Sequence, residues 1–276
     1  MHIILMSNSA LRSLALLALK PKLYKMITVN SLSGGKTSSY MAVHYPTDIN
    51  LFALVRINDP KCSPKDKALI QKVSDKIGSD FIATAEDDLT LYAMFDLEQL
   101  MGKEITWVTG KTFDRTVELR KHLPNIEWRF CTVEMKLRPI QKYCKKLGKV
   151  EMNIGFRYDE KERGEKPDYN HKWRNVKYPL IDDKIGHYTV YKWAQKSGII
   201  FPDDSNCVGC FHKSIQQLRK NTDTNPDKMN WFSSKEIRGR KWKKEMTYNE
   251  IKNKVGLQAD FHFGGGAGCQ AGFCTD

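Results

Sequence analysis

Three groups of residues in this chain carry side chains and backbone of the kind that perform chemistry. The first is the run Ser33-Gly34-Gly35-Lys36-Thr37-Ser38. Paired glycines let the backbone turn tightly and bring N–H groups up to an anion with no Cβ in the way. Lys36 adds a positive charge, and Thr37, Ser38 and Ser39 add hydroxyl donors, so the run suits phosphate. The second group is cysteine. Cys207-Val208-Gly209-Cys210 puts two thiols within reach of one metal centre, and Cys131 offers a third in a segment that also holds Lys136 and Arg138. Two thiols do not complete a site, and Cys269 or Cys274 is available as a fourth ligand. His212 competes for that place if the metal is zinc. Inert buried thiols are the plainer alternative. The third group is Gly155 to Arg163, where Arg157 and Arg163 flank Glu160. A guanidinium fork binds phosphate or sulfate oxygens two at a time, although a solvated charge run would have the same composition.

The glycine run invites comparison with the phosphate loop G-x-x-x-x-G-K-[ST], which requires glycine where this chain has Asn30. That reading fails at a defining position. What remains, S-G-G-K-x-S directly after a strand, resembles the PP-loop of the adenine nucleotide alpha-hydrolase superfamily, whose members hold pyrophosphate or terminal phosphates there. The resemblance implies ATP with Mg2+, or an adenosine phosphosulfate, as ligand. Cys131, Lys136 and Pro139 are spaced like the C-C-x-x-x-K-x-x-P signature of adenylyl-sulfate reductases, which pair it with a later C-x-x-C. In that family four cysteines hold a 4Fe-4S cluster. This chain carries Thr132 in place of the second cysteine. The departure leaves three readings: a cluster with three cysteines and one open iron, as in the sulfur-inserting tRNA thiolases; a structural site completed by Cys269 or Cys274, with zinc as the alternative metal; or free cysteines. Gly155, Arg157, Glu160 and Arg163 are similar to a G-x-R-x-x-E-x-x-R segment of PP-loop proteins. The E-C-G-x-H tail of the thioredoxin-dependent reductases is missing.

The chain therefore resembles the phosphoadenylyl-sulfate reductase family in the broad sense, over residues 26 to 215. Relatives of that breadth, common on mobile and phage genomes, include reductases and enzymes that thiolate tRNA or DNA. The resemblance implies catalytic roles for Lys36, Cys131 and Arg157. It implies nucleotide contacts from Ser33 to Ser38 and from Lys136, Arg138, Arg157, Glu160 and Arg163, and metal contacts from Cys131, Cys207 and Cys210. The leading expectation is adenylation of an acceptor, a nucleic acid or a small molecule, with sulfur supplied by a thiol or persulfide donor protein. Reduction of adenylyl sulfate with release of sulfite is the second. A zinc-stabilised nucleic-acid-binding protein without catalysis is the third.

Elements must hold these groups together. Ile27 to Asn30 reads as a buried strand, and Thr37 to His44 as a helix stopped before Pro46. Leu51 to Ile57 is a second continuous apolar run, followed by a helix over Lys65 to Ile77, and Phe81 to Thr84 makes a third strand. Glu134 to Leu147 reads as a helix despite Pro139, and Glu151 to Phe156 as a further core strand. Strands alternating with helices predict an α/β fold with a doubly wound, mostly parallel sheet, whose ligands bind off the carboxyl ends of the strands. The glycine run and Arg157 both follow such ends. From Phe201 the chain reads as a basic, loop-rich, cysteine-bearing appendage.

Composition sets the bounds. At 276 residues with 41% hydrophobic side chains, one core of residues 26–200 with a small region over 201–276 is feasible. Residues 1–25 read as an extension outside the fold; Ala15 to Leu19 is too short an apolar stretch to span a bilayer, and it lacks the basic n-region and small-residue cleavage site of an export signal. Seven cysteines, an odd number, argue against a disulfide scaffold and for a reduced, cytoplasmic setting. A net charge of +13 favours polyanionic partners. The densest run is Lys235 to Lys244, where Trp242 stands among cations as it would beside a stacked base, unless the run is simply a solvated helix. Cys62 and Cys144 read as structural.

Overall fold

The computed structural model describes residues 25–165, 172–203 and 205–254. It is an α/β protein built on one five-stranded parallel sheet. The chain runs β1 (Ile27–Leu32), α1 (Lys36–His44), β2 (Ile49–Leu54), the two-residue β3 (Arg56–Ile57), α2 (Lys67–Ile77), β4 (Ala83–Thr84), α3 (Asp88–Met101), β5 (Ile105–Thr109) and α4 (Phe113–Arg120). Next come α5 (Phe130–Thr132), a π-helical turn over Val133–Leu137, α6 (Arg138–Cys144), β6 (Val150–Ile154), α7 (Lys161–Gly164), β7 (Arg174–Lys177), α8 (Pro179–Asp182) and α9 (His187–Lys196). Three helices follow, α10 (Ile215–Thr224), α11 (Pro226–Ser234) and α12 (Tyr248–Lys252).

The sheet order is β5-β2-β1-β6-β7, with every pairing parallel. Both faces are covered, as a parallel sheet requires. The two-residue period of β2 displays this directly. Phe52 and Leu54 join Leu69, Val73, Leu91 and Leu97 from α2 and α3 on one face, and Leu51 and Ala53 join Ile140 and Cys144 from α6 on the other. Asn30 lies in register between Asn50 and Asn153. Its amide donates to Asn50 Oδ1 at 3.1 Å and to the Tyr45 carbonyl at 2.9 Å, and its Oδ1 accepts from Asn153 at 3.0 Å. Asn30 is thus a fully satisfied polar tie across three buried strands.

Several expectations need correction. Leu51 to Ile57 is not one strand, because the ladder breaks at Val55 and Arg56–Ile57 turns away to pair with Ala83–Thr84. Phe81 to Thr84 accordingly does not enter the main sheet: it forms this separate antiparallel pair, and Ile105–Thr109 takes the edge beside β2. The described part of the region after Phe201 carries three helices joined by long irregular segments. Its helices close over a hydrophobic cluster that unites Val208, Phe211, Leu218, Phe232, Trp242 and Ile251 with Val55, Ala85, Phe113 and Met135 from the first half of the chain. Trp242 is 1% exposed and donates its indole N–H to the Phe232 carbonyl at 2.8 Å, so it is a core residue and not a stacking platform. Cys269, Cys274 and the glycine run at 264–268 lie outside the described residues, as do residues 1–24. No helix among the described residues is long and apolar enough to cross a membrane.

Candidate functional site

Strand order alone locates the first half of the site. From β1 the chain winds outward to β2 and β5, then returns to the other side of β1 as β6, so the direction of winding reverses between β1 and β6. At such a reversal the loops leaving the two carboxyl ends diverge and open a crevice. Here those loops are Ser33-Gly34-Gly35, after Leu32, and Gly155-Phe156-Arg157, after Ile154.

The glycine loop has steric reasons for its sequence. Gly34 has φ +82°, a left-handed conformation, and a Cβ there would fall 2.4 Å from Thr90 Cγ2 on α3. At Gly35 a Cβ would meet Ser205 Oγ at 2.7 Å. The Ser38 hydroxyl ties the loop together, accepting from Ser33 N at 3.1 Å and donating to the Gly35 carbonyl at 3.1 Å. Helix α1 starts at Gly35 without a side-chain cap. Its first N–H groups and the positive end of its dipole are left for an anion.

Ser31, Ser33, Thr37 and Ser38 meet Arg157, Glu160, Arg163 and Ser205 around a cavity of about 60 Å³. That is room for a few waters, the scale of one phosphate group. Arg157 is 7% exposed and spans the crevice, donating to Thr37 Oγ1 at 3.1 Å and to Asp159 Oδ2 at 3.1 Å. Glu160 serves the arginines: Oε2 accepts the Arg157 backbone N–H at 3.2 Å, and Oε1 accepts from Arg163 at 2.7 Å. Arg163 in turn lies over the Phe156 ring, 3.9 Å from its centroid. Burial works to raise the Asp159 carboxyl, but the Arg157 guanidinium and the His187 backbone N–H hold it below its ordinary value.

The second half of the site is a cavity of about 40 Å³ lined by Cys131, Cys207, Cys210, His212, Lys136 and Thr132 among others. The three cysteines singled out from the sequence are therefore neighbours, although 76 residues separate Cys131 from Cys207. A tight turn from Cys207 to Cys210 (N···O 3.0 Å) presents the later pair, and Val208 N donates to the Ala85 carbonyl at 2.8 Å. Gly209 is needed because a Cβ would collide with the Phe232 ring at 2.3 Å. Burial pushes the Cys131 thiol up, and burial together with the Glu86 carboxylate pushes Cys207 well above its usual value. Burial, then the charges of Arg129 and Lys243, bring the His212 imidazole down to about 4, so it is neutral at neutral pH. Three thiols and a neutral imidazole are suitable donors by type. Their placement is not that of a metal centre: among the described residues no three His, Cys, Asp or Glu side chains are arranged to hold a metal ion. Cys269 and Cys274, expected to complete such a site, lie outside the described residues.

The two halves touch. Ser205, two residues before Cys207, packs on Gly35, and Lys36 Nζ reaches the Pro202 carbonyl at 3.5 Å. Lys136 belongs to both sides, lining the cysteine cavity and a small cavity shared with Ser31 and Ser33. It is held by Glu86, fully buried, at 2.9 Å. Arg138, expected beside Lys136 as a joint anion site, turns instead to the buried carboxylate of Glu134, which Arg120 and Lys111 also approach. Cys62 and Cys144 are buried apart from the cavity, with thiols pushed up to about 12 and about 11 chiefly by burial. Sequence reasoning missed Ser205, Glu86, Asp159 and Thr90. Glu86 had one available signal, its position just past a strand end. The others are set by contacts distant in sequence.

No family model, curated protein or solved structure matches the chain.

Proposed function

We propose that this protein is a PP-loop enzyme that binds ATP by its phosphate end, adenylates an acceptor and delivers sulfur to it from the cysteine cavity. The observation that carries the reading is the contact between the two halves, Ser205 against Gly35, which sets a phosphate-sized crevice beside three thiols.

Ser33, Gly34, Gly35, Lys36, Thr37 and Ser38 hold the pyrophosphate portion, and Arg157 with Arg163 meets the charge that develops on the α-phosphate. The acceptor oxygen attacks the α-phosphorus, the new P–O bond forms, and pyrophosphate leaves with the electrons of the bond it loses. A persulfide on one cavity cysteine, loaded by a donor protein, then attacks the activated carbon, and AMP departs with the C–O electron pair. The new C–S bond leaves the product attached through the persulfide's own S–S bond, and a second cysteine attacks the first cysteine's sulfur, forming a disulfide and breaking that bond. The product leaves as a thiol, and the disulfide left on the protein is reduced by an external thiol. Three adjacent cysteines suffice for this sequence without a metal.

Calorimetric titration with ATP tests the reading. Lys36→Ala is expected to weaken ATP binding by at least about tenfold, the scale of one charge-assisted phosphate contact. Absence of binding to the unaltered protein would overturn it, as would a Lys36→Ala variant that binds equally well.

A further inference from the structure

A second cationic run lies apart from Lys235 to Lys244. Between Met135 and Val150 the chain carries six cations, Lys136, Arg138, Lys142, Lys145, Lys146 and Lys149, and no Asp or Glu. Arg138 and Lys142 lie on helix α6, and Lys145 and Lys146 on the turn that directly follows it. The apolar residues Ile140 and Cys144 of α6 are buried against the sheet, while Arg138, Lys142, Lys145 and Lys146, spaced i, i+4, i+7 and i+8, are all exposed. Lys149 continues the row to the start of β6. Among the described residues no carboxylate pairs with Lys142, Lys145, Lys146 or Lys149, and the nearest acid in sequence, Glu151, is engaged by Lys177 at 3.8 Å. At the other end the row meets Lys111 and Arg120, which share the single carboxylate of Glu134 with Arg138. Three cations on one acid leave an excess of two charges there. Trp128, 59% exposed, stands nearby in sequence and pairs with His122 at 4.9 Å between ring centroids.

We infer that this row is a binding surface for the phosphodiester backbone of a nucleic acid. Closely spaced cations on a helix and the turn after it, with lysines that no carboxylate pairs among the described residues, release counterions when they meet a line of phosphates, and an exposed aromatic ring adds a platform for an unstacked base. An anionic membrane is a poorer fit, because a helix lying on lipid turns its apolar side outward, and the apolar side of α6 is consumed by the core. The row also leads to the cysteines: Cys131 and Thr132, on the same helical stretch, line the thiol cavity. A strand held along α6 would bring a nucleotide to that mouth. The inference deepens the proposed function by naming its acceptor class and rests on that reading for the acceptor role only; the binding itself does not.

The test is fluorescence anisotropy of labelled 20-nucleotide RNA and DNA, single- and double-stranded, over a range of salt, with anionic vesicles in parallel. Single-stranded oligonucleotide is expected to bind with strong salt dependence. Reversal of three lysines of the row, Lys142→Glu, Lys145→Glu and Lys146→Glu together, should weaken it by at least about tenfold and reduce the log–log salt slope by about 2, at roughly 0.7 for each phosphate no longer neutralised. Trp128→Ala should weaken single strands more than duplexes. Lys241→Glu with Lys244→Glu, in the other basic run, should change binding by less than about twofold. Circular dichroism verifies that each variant is folded. Equal binding by the triple reversal, or row-dependent binding to vesicles and not to oligonucleotides, would overturn the inference. Lys36→Ala separates the two claims, since it should lose ATP and keep the oligonucleotide.

Discussion

The crevice at the glycine loop and the cavity at the cysteines lie side by side and are made in opposite ways. The crevice is assembled from backbone. It uses a left-handed glycine, an uncapped helix start and two strand ends, all of which local sequence dictates. The cysteine cavity is assembled from tertiary packing. Cys131 arrives on the short helix that leads into the π-helical turn, Cys207 and Cys210 on a turn clamped by Phe232, and the Glu86–Lys136 pair braces the cavity wall. The first region carries polar groups disposed for an incoming anion, while in the second burial pushes the Cys131 and Cys207 thiols up. One is ready for a ligand, the other needs a partner to activate it.

The largest effects on nucleotide binding and on thiol reactivity should come from filling space in either region. Gly34→Val combines a φ of +82° with a 2.4 Å approach to Thr90, and nucleotide binding should fall below detection while the cysteine cavity keeps its alkylation pattern. Gly209→Ala drives a methyl into the Phe232 ring and should act in the other direction, disturbing Cys207 and Cys210 while leaving ATP affinity within about threefold. Urea titration should place its cost at about 1–3 kcal/mol, the usual range for overpacking. Equal damage to both functions by either substitution would dissolve the distinction between the two regions.

A core substitution that supports the cysteines alone sharpens the comparison. Trp242→Ala removes a buried ring from the cluster that carries the C-x-x-C turn, and should cost about 3–5 kcal/mol by urea titration. Under conditions where the variant is folded, ATP binding should persist.

The smallest effect is expected at the Arg157–Asp159 pair. Because the folded Asp159 pKa is depressed, its contribution is complete above the unfolded carboxylate value near 4 and is lost as pH falls through the lower folded value. Asp159→Asn should therefore flatten the acid limb of the stability profile slightly and leave stability above pH 6 little changed in its pH dependence. An unchanged acid limb would contradict the assignment.

The difference in construction also explains what could be read from sequence. Ser33 to Ser38, Gly155 and Arg157 were legible because a strand, a turn and a helix start each leave short-range marks, and parallel winding then brings the strand ends together. The sheet's outer member was not. Phe81 to Thr84 has strand composition, yet Arg56–Ile57 captures it as an antiparallel partner, and nothing local distinguishes that pairing from entry into the main sheet. Trp242 among cations reads as a surface aromatic until the packing of α11 and α12 is known. The grouping of Cys131 with Cys207 was implied by the resemblance to a known cysteine signature, whereas Ser205 on Gly35 is a contact between residues 170 positions apart and had no mark in the sequence.

The central claim is that the phosphate crevice and the thiol cavity are one site, and the direct measurement is the alkylation rate of Cys131, Cys207 and Cys210, read by mass spectrometry with and without ATP. ATP is expected to change those rates at least about threefold in the unaltered protein and not in Lys36→Ala, with Cys62 and Cys144 unaffected in both. Saturating ATP with no change at any of the three cysteines would contradict the account.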